Sequence, residues 1–354
     1  MTFIHQNLSP SVVQNNNDDP TAATRKRDHI ELAFQSQIQT TQLDERFYYE
    51  PILAGHPKEN SLPTTSILGY GLRAPIWVSS MTGGTELAPT INKNLARACQ
   101  EFGMGMGLGS CRSILRSDER LEDFDVRAIM GNAVPLYANL GIAQVEQLLF
   151  DDELYLVDAL LEKLQADGLI IHVNPMQEWL QPEGDHIQQS PLKTIQDFMA
   201  ARPATKIIVK EVGQGMGYES LKALFQLPIE AVDFAASGGT NFAKLELLRS
   251  NPSQQLIFEQ IAHLGHSAAE MVVWSNAIQE ELGDQMKCKQ LIISGGVQNF
   301  LDGYYLTQKS TINSIYGQAS AFLQHARADY ASLRQYVAAQ IRGLELANAF
   351  LRVK

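Results

Sequence analysis

The stretch Gly168-Leu169-Ile170-Ile171-His172-Val173-Asn174 is an apolar run that ends in polar residues. Short continuous apolar runs are typical of parallel strands that are buried on both faces. His172 and Asn174 are two positions apart, so a strand places both side chains on one face. The stretch therefore predicts a buried strand that carries functional groups at its carboxyl end.

Seven further runs along the chain have the same character, and helical patterns lie between them. The other strand candidates are Ala74–Met81, Gly105–Ser110, Pro135–Gly141, Lys206–Gly213, Ala231–Gly238, Gln290–Gly296 and Ser314–Ala319. The helical segments include Ile91–Phe102, Asp151–Gln165, Ser190–Ala201 and Glu219–Gln226. Eight strands that alternate with helices predict an α/β fold, a closed (β/α)8 TIM barrel, and an open doubly wound sheet is the alternative.

The rest of the chain is expected to decorate this barrel. Residues 1–23 form a polar, flexible N-terminal segment, and Thr24–Ser36 predicts a helical extension before the barrel. Residues 24–354 are interpreted as one barrel domain with an insertion at about 242–289 that contains two helical stretches. Tyr330–Arg352 predicts a closing helix.

Composition excludes several classes of protein. The 354 residues carry a formal net charge of -11, which argues against nonspecific binding to nucleic acid or to anionic membranes. The three cysteines, Cys99, Cys111 and Cys288, have neither disulfide nor zinc spacing. No apolar run is long enough to span a bilayer, and the first residues lack a signal-peptide pattern. We expect a cytoplasmic protein with reduced thiols.

Polar and glycine residues collect where each predicted strand ends. These ends are Ser80–Gly84, Gly109–Arg112, Asn139, His172–Asn174, Lys210–Glu211, Ser237–Thr240, Ser294–Gly296 and Gly317–Gln318. In a (β/α)8 barrel they meet at one mouth, where active sites lie. Glycine, serine and asparagine also make ordinary turns, but turns do not require lysine, arginine and histidine as well.

Three glycine pairs and one lysine indicate an anion site at this mouth. Gly83-Gly84, Gly238-Gly239 and Gly295-Gly296 each precede a predicted helix start, where backbone N–H groups favour phosphate. Lys210 ends a very apolar strand and needs a partner at that depth. An anionic cofactor ring is one candidate partner, and an internal ion pair with Glu211 or Asp233 is the other.

Residues 172–178 form the densest group of polar residues. A lone carboxylate, Glu178, beside the amides of Asn174 and Gln177 suits Mg²⁺, which often takes few protein ligands. Alternatively, Asn174 and Pro175 form a turn, and Glu178 favours a helix N-terminus. At Arg25-Lys26-Arg27, three cations open a helix, which fits either a docked anion or a solvated basic end.

Taken in order, these motifs resemble the type 2 isopentenyl diphosphate isomerases. The resemblance extends over most of the chain from Arg25 and rests on the following ordered motifs: Arg25-Lys26 with His29, Ser80–Gly84, Gly109–Arg112, Ala138–Gly141, His172–Glu178, Gln181–Gly184, Val209–Glu211, Gly238–Asn241 and Ser294–Gly296. The set His-x-Asn-Pro-x-Gln-Glu followed by Gln-Pro-Glu-Gly is the most specific part.

The resemblance implies an FMN enzyme that interconverts isopentenyl and dimethylallyl diphosphates, with reduced flavin, NADPH as the electron source and Mg²⁺. It implies FMN contacts from Met81, Thr82, Gly83, Ser110, Asn139, Lys210, Thr240, Gly295, Gly296, Gln318 and Ala319. It implies that the substrate is held by Arg25, Lys26, Arg112, His172, Asn174 and Gln177. His172 and Gln177 are the implied catalytic residues, Glu178 is the implied metal ligand, and a homotetramer or homo-octamer is the implied assembly.

The chain departs from this family in three places. Val297-Gln298-Asn299-Phe300 stands where the family usually has Ile-Arg-x-Gly, Val212 replaces a serine, and Cys111 replaces a glutamine. Two other functions remain open, an FMN-dependent 2-hydroxy-acid oxidase and a non-catalytic phosphate-binding barrel. No His-Gly motif of the kind that an oxidase needs follows a late strand.

Overall fold

Eight parallel strands close into a barrel in the computed structural model of the chain, which describes residues 21–80 and 82–354. In chain order the strands are β1 (Phe47–Tyr49), β2 (Thr65–Ile67), β3 (Tyr70–Leu72), β4 (Ile76–Val78), β5 (Gly105–Gly107), β6 (Leu136–Gly141), β7 (Gly168–His172), β8 (Ile207–Lys210), β9 (Ala231–Asp233), β10 (Gln290–Ser294), β11 (Asn313–Gln318) and β12 (Leu351–Val353). The barrel order is β10-β11-β4-β5-β6-β7-β8-β9, and β9 pairs back onto β10.

Helices follow the barrel strands. They are α1 (Ala22–Leu32), α2 (Ala88–Phe102), α3 (Arg127–Met130), α4 (Ile142–Phe150), α5 (Tyr155–Leu164), α6 (Pro175–Leu180), α7 (Pro191–Ala201), α8 (Tyr218–Phe225), α9 (Phe242–Arg249), α10 (Pro252–Phe258), α11 (Ala268–Leu282), α12 (Phe300–Lys309), α13 (Ser320–Ala326) and α14 (Tyr330–Phe350). Short 3₁₀ helices lie at Thr40–Gln42, Arg112–Ile114, Leu121–Asp123, Glu259–His263 and Gly283–Gln285. The predicted barrel is confirmed, and the open sheet is wrong because the strand order closes on itself.

The described residues divide into two compact units, one that ends at Glu45 and one that spans Arg46–Lys354. The predicted helical extension is present in the first unit as α1, although no residue of that helix is buried in the described part of the chain. The second unit contains the whole barrel. The division predicted from the sequence, with its boundary at residue 24, remains a prediction.

Glycines in β5 leave room for a large aromatic side chain inside the barrel. A Cβ built on Gly105 lies 2.4 Å from the Trp77 ring, and one on Gly107 lies 2.5 Å from Ile170. Trp77 is fully buried and packs edge-on against Tyr137 with ring centroids 6.1 Å apart. The interior is thus filled by side chains, which leaves the carboxyl ends of the strands as the place for a ligand.

Two features differ from the sequence prediction. The closing helix ends at Phe350 instead of Arg352, because Leu351–Val353 forms β12 and pairs antiparallel with β1. The interval between β9 and β10 contains three α-helices, α9 to α11, where two helical stretches were expected. Of these, α9 packs against α6, the helix that carries Gln177 and Glu178.

Candidate active site

Three neighbouring strands bring polar side chains to the same level of the barrel. In the parallel register, His172 on β7 pairs with Lys210 on β8, and Lys210 pairs with Asp233 on β9. Lys210 is 8% exposed and Asp233 is fully buried. Charged groups at this depth need compensation, so this level of the barrel is the natural centre of a site.

Lys210 is held by the backbone and not by the carboxylate next to it. Its Nζ donates to the carbonyl oxygen of Glu211 at 2.5 Å. The Glu211 carboxylate instead accepts the backbone N–H groups of Gly213, Gln214 and Gly215 at 2.6, 2.6 and 2.9 Å. Burial raises the pKa of Glu211 in spite of these donors. Within the described residues no ion pair joins Lys210 to Glu211, so this internal partner is excluded.

Asp233 is the other acidic neighbour of Lys210. The Ser294 hydroxyl donates to Asp233 Oδ1, while Oδ2 is buried and has no partner in the part of the chain that the structure describes. Burial raises the pKa of Asp233, and the charge of Lys210 opposes that rise. No ion pair forms between the two side chains among the described residues, so the ammonium group remains available to a ligand.

A cavity of about 300 Å³ opens beside Lys210. Its walls are the ends of β4, β8, β9, β10 and β11, and include Ser79, Ser80, Lys210, Gly238, Gly239, Thr240, Gly295, Gly296, Gln318 and Ala319. This volume is at the lower end of the range for small-molecule sites. The cavity brings together six of the residues implied as flavin contacts: Lys210, Thr240, Gly295, Gly296, Gln318 and Ala319.

Two glycine pairs lie against each other at one wall of the cavity. Gly295 has φ +86°, and a Cβ there would lie 2.0 Å from the carbonyl oxygen of Ala236. Gly238 has φ +108°, and a Cβ there would lie 3.1 Å from the Cα of Gly296. Neither position tolerates a side chain, and the bare backbone lets a ligand approach closely. This wall is therefore the candidate place for a phosphate group.

Of the remaining predicted flavin contacts, Thr82, Gly83 and Ser110 lie on loops and Asn139 lies on β6. Thr82, Gly83, Ser110 and Asn139 are not part of the cavity wall, and Met81 lies outside the described residues. Asn139 Nδ2 donates to Ser80 Oγ at 3.0 Å and thereby connects to the wall. The need for glycine at position 83 has an explanation that involves no ligand, since a Cβ there would lie 2.0 Å from the Phe124 ring.

The loop where the chain departs from the family uses its own side chains to cap α12. Asn299 accepts from the backbone N–H groups of Leu301 and Asp302 at 2.9 and 3.1 Å. Asp302 accepts from those of Gln298 and Asn299 at 3.0 and 3.3 Å. These donors are therefore engaged, and the glycine pairs are the better candidates for a phosphate site.

His172 lies next to the cavity and is neutral. Asn139 Nδ2 donates to Ser80 and to the Leu108 carbonyl, so its Oδ1 accepts from His172 Nδ1 at 2.8 Å. Burial, with a smaller contribution from Lys210, lowers the pKa of His172 from 6.5 to about 3. The imidazole is uncharged at neutral pH and has its lone pair at Nε2.

We expect His172→Asn to reduce the acid sensitivity of folding. Because the pKa of His172 is lower in the folded chain, the unfolded chain binds the proton first as pH falls from 6.5 towards 3. The wild-type free energy of unfolding therefore decreases across that window. Between pH 7 and pH 5 the variant should lose about 1–2 kcal/mol less than the wild type, measured by urea unfolding. His186→Asn, at an exposed position, is the control and should follow the wild type; equal pH dependence of all three proteins would contradict the assignment.

The carboxylate of Glu178 is oriented at both oxygens. Asn174 Nδ2 donates to Glu178 Oε1 at 2.9 Å and to Gln177 Oε1 at 3.1 Å, and the backbone N–H of Asp185 donates to Glu178 Oε2 at 2.8 Å. Asn174 is 2% exposed, and its Oδ1 has no partner among the described residues. An orphaned acceptor beside a held carboxylate fits a hard cation or a ligand donor.

Among the described residues, the carboxylate of Glu178 is the candidate metal ligand. The described residues contain no group of three or more His, Cys, Asp or Glu side chains that could hold an ion. A site for Mg²⁺ here thus has one carboxylate and relies on water and ligand oxygens for the rest.

No helix among the described residues is both long and apolar enough to cross a membrane.

Glu246 is a site residue that the sequence analysis missed. It lies on α9, is 2% exposed, and accepts from Arg249 Nη1 at 2.6 Å and from Gln177 Nε2 at 3.5 Å. In the sequence, Glu246 stands three residues before Arg249, a spacing that is typical of an exposed ion pair on a helix. Its burial depends on the packing of α9 against α6, and no local signal indicates it.

The predicted substrate residues fall into two groups. His172, Asn174, Gln177 and Arg112 belong to the second unit, and Arg112 Nη1 forms an ion pair with Asp185 at 2.7 Å. Arg25 and Lys26 lie on α1 in the first unit and are exposed. The site described above is built from the second unit.

Solved structures with a similar fold include a mandelate oxidase variant with an FMN adduct and variants of flavocytochrome b2. A mandelate oxidase variant with bound (S)-mandelic acid has a TM-score of 0.55 at 14% identity and covers 88% of this chain and 87% of that chain. A flavocytochrome b2 variant with bound sulfite has a TM-score of 0.58 at 15% identity, over 86% of this chain and 72% of that one. At this identity the likeness shows the barrel fold alone.

Curated relatives are closer. No protein-family model matches the chain. It is 32% identical over 333 residues to the isopentenyl-diphosphate delta-isomerase of Rickettsia africae (strain ESF-5), with 91% of each chain covered. It is 33% identical over 327 residues to that of Rickettsia felis (strain ATCC VR-1525 / URRWXCal2), with 91% and 90% covered. Over this length and identity, the chain belongs to the isopentenyl-diphosphate delta-isomerase family, which confirms the resemblance in its motifs.

Proposed function

We propose that this chain interconverts isopentenyl and dimethylallyl diphosphates, with FMN in the cavity beside Lys210 and Mg²⁺ at Glu178. The observation that carries the proposal is the adjacency of two sites. The glycine-walled cavity with its buried cation lies at the ends of β4 and of β8 to β11. The group of His172, Asn174, Gln177 and Glu178 begins at the last residue of β7, the strand next to β8. Family membership identifies the substrate pair.

The residues present fit both groups. A buried ammonium and the glycine wall suit an anionic ring and a phosphate, and Ser79 Oγ is a further buried polar atom that lacks a partner in the described chain. The departures at Val297–Phe300 leave that wall intact. When bound, reduced FMN supplies the acid–base group that a weakly basic alkene requires, and NADPH supplies the electrons that keep it reduced.

The chain's own residues bind and orient the substrate. Arg112 offers donors to a diphosphate. Both N–H groups of Asn174 are engaged by Gln177 and Glu178, so we propose that Asn174 joins the diphosphate site through its Oδ1, which has no partner among the described residues and accepts from a bridging water. A bound anion near neutral His172 raises the imidazole pKa and so favours its protonation. Gln177, held between Asn174 and Glu246, presents its amide at the substrate tail. From the family resemblance, Arg25 and Lys26 are also proposed to bind a diphosphate. Binding energy at the diphosphate positions the reacting carbons.

The experiment is an isomerase assay under anaerobic conditions with purified protein. Isopentenyl diphosphate is converted to dimethylallyl diphosphate when FMN, NADPH and MgCl₂ are all present, and omission of any one lowers the rate at least about tenfold. Turnover that depends on metal alone would contradict the role of the flavin. Oxygen-dependent oxidation of a 2-hydroxy acid, with no isomerisation, would establish the oxidase alternative instead.

The assembly and the cellular location are proposed from the family resemblance. We propose a homotetramer or homo-octamer in the cytoplasm. Light scattering coupled to size-exclusion chromatography gives the mass directly, and a mass near 39.3 kDa, that of one chain, would contradict the assembly.

A further inference from the structure

The loop after α6 folds back onto Glu178. A Cβ on Gly184 would lie 2.0 Å from the backbone oxygen of Glu178, so only glycine fits this contact. The next backbone N–H, that of Asp185, donates to Glu178 Oε2 at 2.8 Å. Asp185 is therefore fixed by its backbone to the carboxylate that we assign to the metal.

The side chain of Asp185 faces the other half of the site. Its Oδ2 lies 2.7 Å from Arg112 Nη1 and 2.8 Å from Gln144 Nε2. The side chains of Arg112 and Asp185 are 58% and 37% exposed, so solvent and small anions reach the pair. One carboxylate oxygen thus binds one nitrogen of the guanidinium that the proposed function assigns to the substrate diphosphate.

We propose that Asp185 is a positioning residue that holds Arg112 in place and is exchanged for the diphosphate when substrate binds. The inference rests on the proposed function, because it needs a diphosphate at Arg112. The carboxylate restricts a long exposed side chain that would otherwise sample many rotamers. The same carboxylate repels an incoming polyanion, so the ion pair opposes diphosphate binding at Arg112 and breaking the pair favours it.

This exchange predicts that removal of the Asp185 charge slightly increases the affinity for diphosphate. An exposed ion pair contributes little in water, so Asp185→Asn should tighten binding about threefold to fivefold. The asparagine keeps an oxygen for Gln144 and leaves the backbone contact with Glu178 unchanged. A defect in folding or in the loop would act in the opposite direction and weaken binding.

The test is calorimetric titration of inorganic pyrophosphate into the full chain, with metal chelated. We expect Asp185→Asn to lower Kd threefold to fivefold and Arg112→Gln to raise it at least about tenfold. In the Arg112→Gln background, Asp185→Asn should change Kd less than about 1.5-fold, since the pair no longer exists. An unchanged or raised Kd for the single variant overturns the proposal, and so does a gain that persists without Arg112.

A matched control removes the same charge from a neighbouring exposed pair. Glu153 pairs with Arg116, which lines the same surface cavity as Arg112 and Asp185. Glu153→Gln should leave the Kd for pyrophosphate within about 1.5-fold of wild type. An equal gain in this variant would assign the effect to net charge and overturn the exchange at Arg112.

Turnover separates this inference from the proposed function. With isopentenyl diphosphate, Asp185→Asn should lower KM about threefold and leave kcat within about twofold. An active wild type with no coupling between Asp185 and Arg112 overturns the role of Asp185 alone. An inactive wild type that retains the coupling overturns the isomerase function alone, and an inactive wild type that does not bind pyrophosphate overturns both.

Discussion

Lys210→Met is expected to lower kcat/KM for isopentenyl diphosphate about 10²–10³-fold, the usual effect of removing one oriented charge from a site shielded from water. The methionine keeps most of the apolar stem and removes only the ammonium group. That group is 8% exposed and donates to a backbone carbonyl, so within the described residues its charge is not neutralised by an ion pair and acts on the cavity. We also expect FMN to bind at least about tenfold more weakly, measured by quenching of flavin fluorescence.

The matched control for this variant is a second lysine next to β8. Lys206 precedes β8 at the opposite end of the barrel and is exposed. Lys206→Met removes the same charge and should change both quantities less than about twofold. If Lys210→Met binds FMN as tightly as Lys206→Met does, the cavity beside Lys210 is not the flavin site.

Most of the barrel is predictable from the sequence because its strands are buried on both faces. Runs such as Ile207–Val209 are apolar without alternation, and each is followed by a polar or glycine residue. Closure of the barrel was not predictable from these runs, since the pairing of β11 with β4 joins segments at opposite ends of the domain. Only the number of strands favoured the barrel over the open sheet before that pairing was seen.

Short nonlocal elements were not predictable for a physical reason. Leu351–Val353 continues the pattern of α14, and a strand of three residues has no periodicity of its own. It becomes a strand because Phe47–Tyr49, near the start of the barrel unit, supplies a partner. Local propensity favours one more turn of helix, and the tertiary contact overrides it.

The same distinction applies to the site. Residues at strand ends, such as His172 and Lys210, were found because the fold itself brings strand ends together. Asp185 and Glu246 were not, because one lies on a loop and the other on the excursion after β9. Their positions depend on how α6, α9 and the loop pack, and no local sequence pattern predicts that packing.

Glu178→Gln is expected to abolish most of the metal-dependent activity. Loss of a residue that only hydrogen-bonds to a metal ligand lowers metal affinity or activity about 10- to 100-fold. Loss of the charged ligand itself should therefore lower kcat/KM by more than about 100-fold, measured at about 1 mM MgCl₂. Glutamine keeps an oxygen for Asn174 but removes the negative charge that a hard cation prefers. A MgCl₂ titration of the rate should show half-saturation shifted at least about tenfold higher.

A nearby glutamate provides the control that isolates the position of the charge. Glu183 lies in the loop after α6, is exposed, and pairs with Arg249 at 2.9 Å. Glu183→Gln makes the same change in net charge, so a general electrostatic effect would appear in both variants. We expect its Mg²⁺ half-saturation to stay within about twofold of wild type, because surface pairs contribute little. Equal shifts in the two variants, or none in either, would remove Glu178 from the metal site and leave the held carboxylate as a support for Asn174 and Gln177.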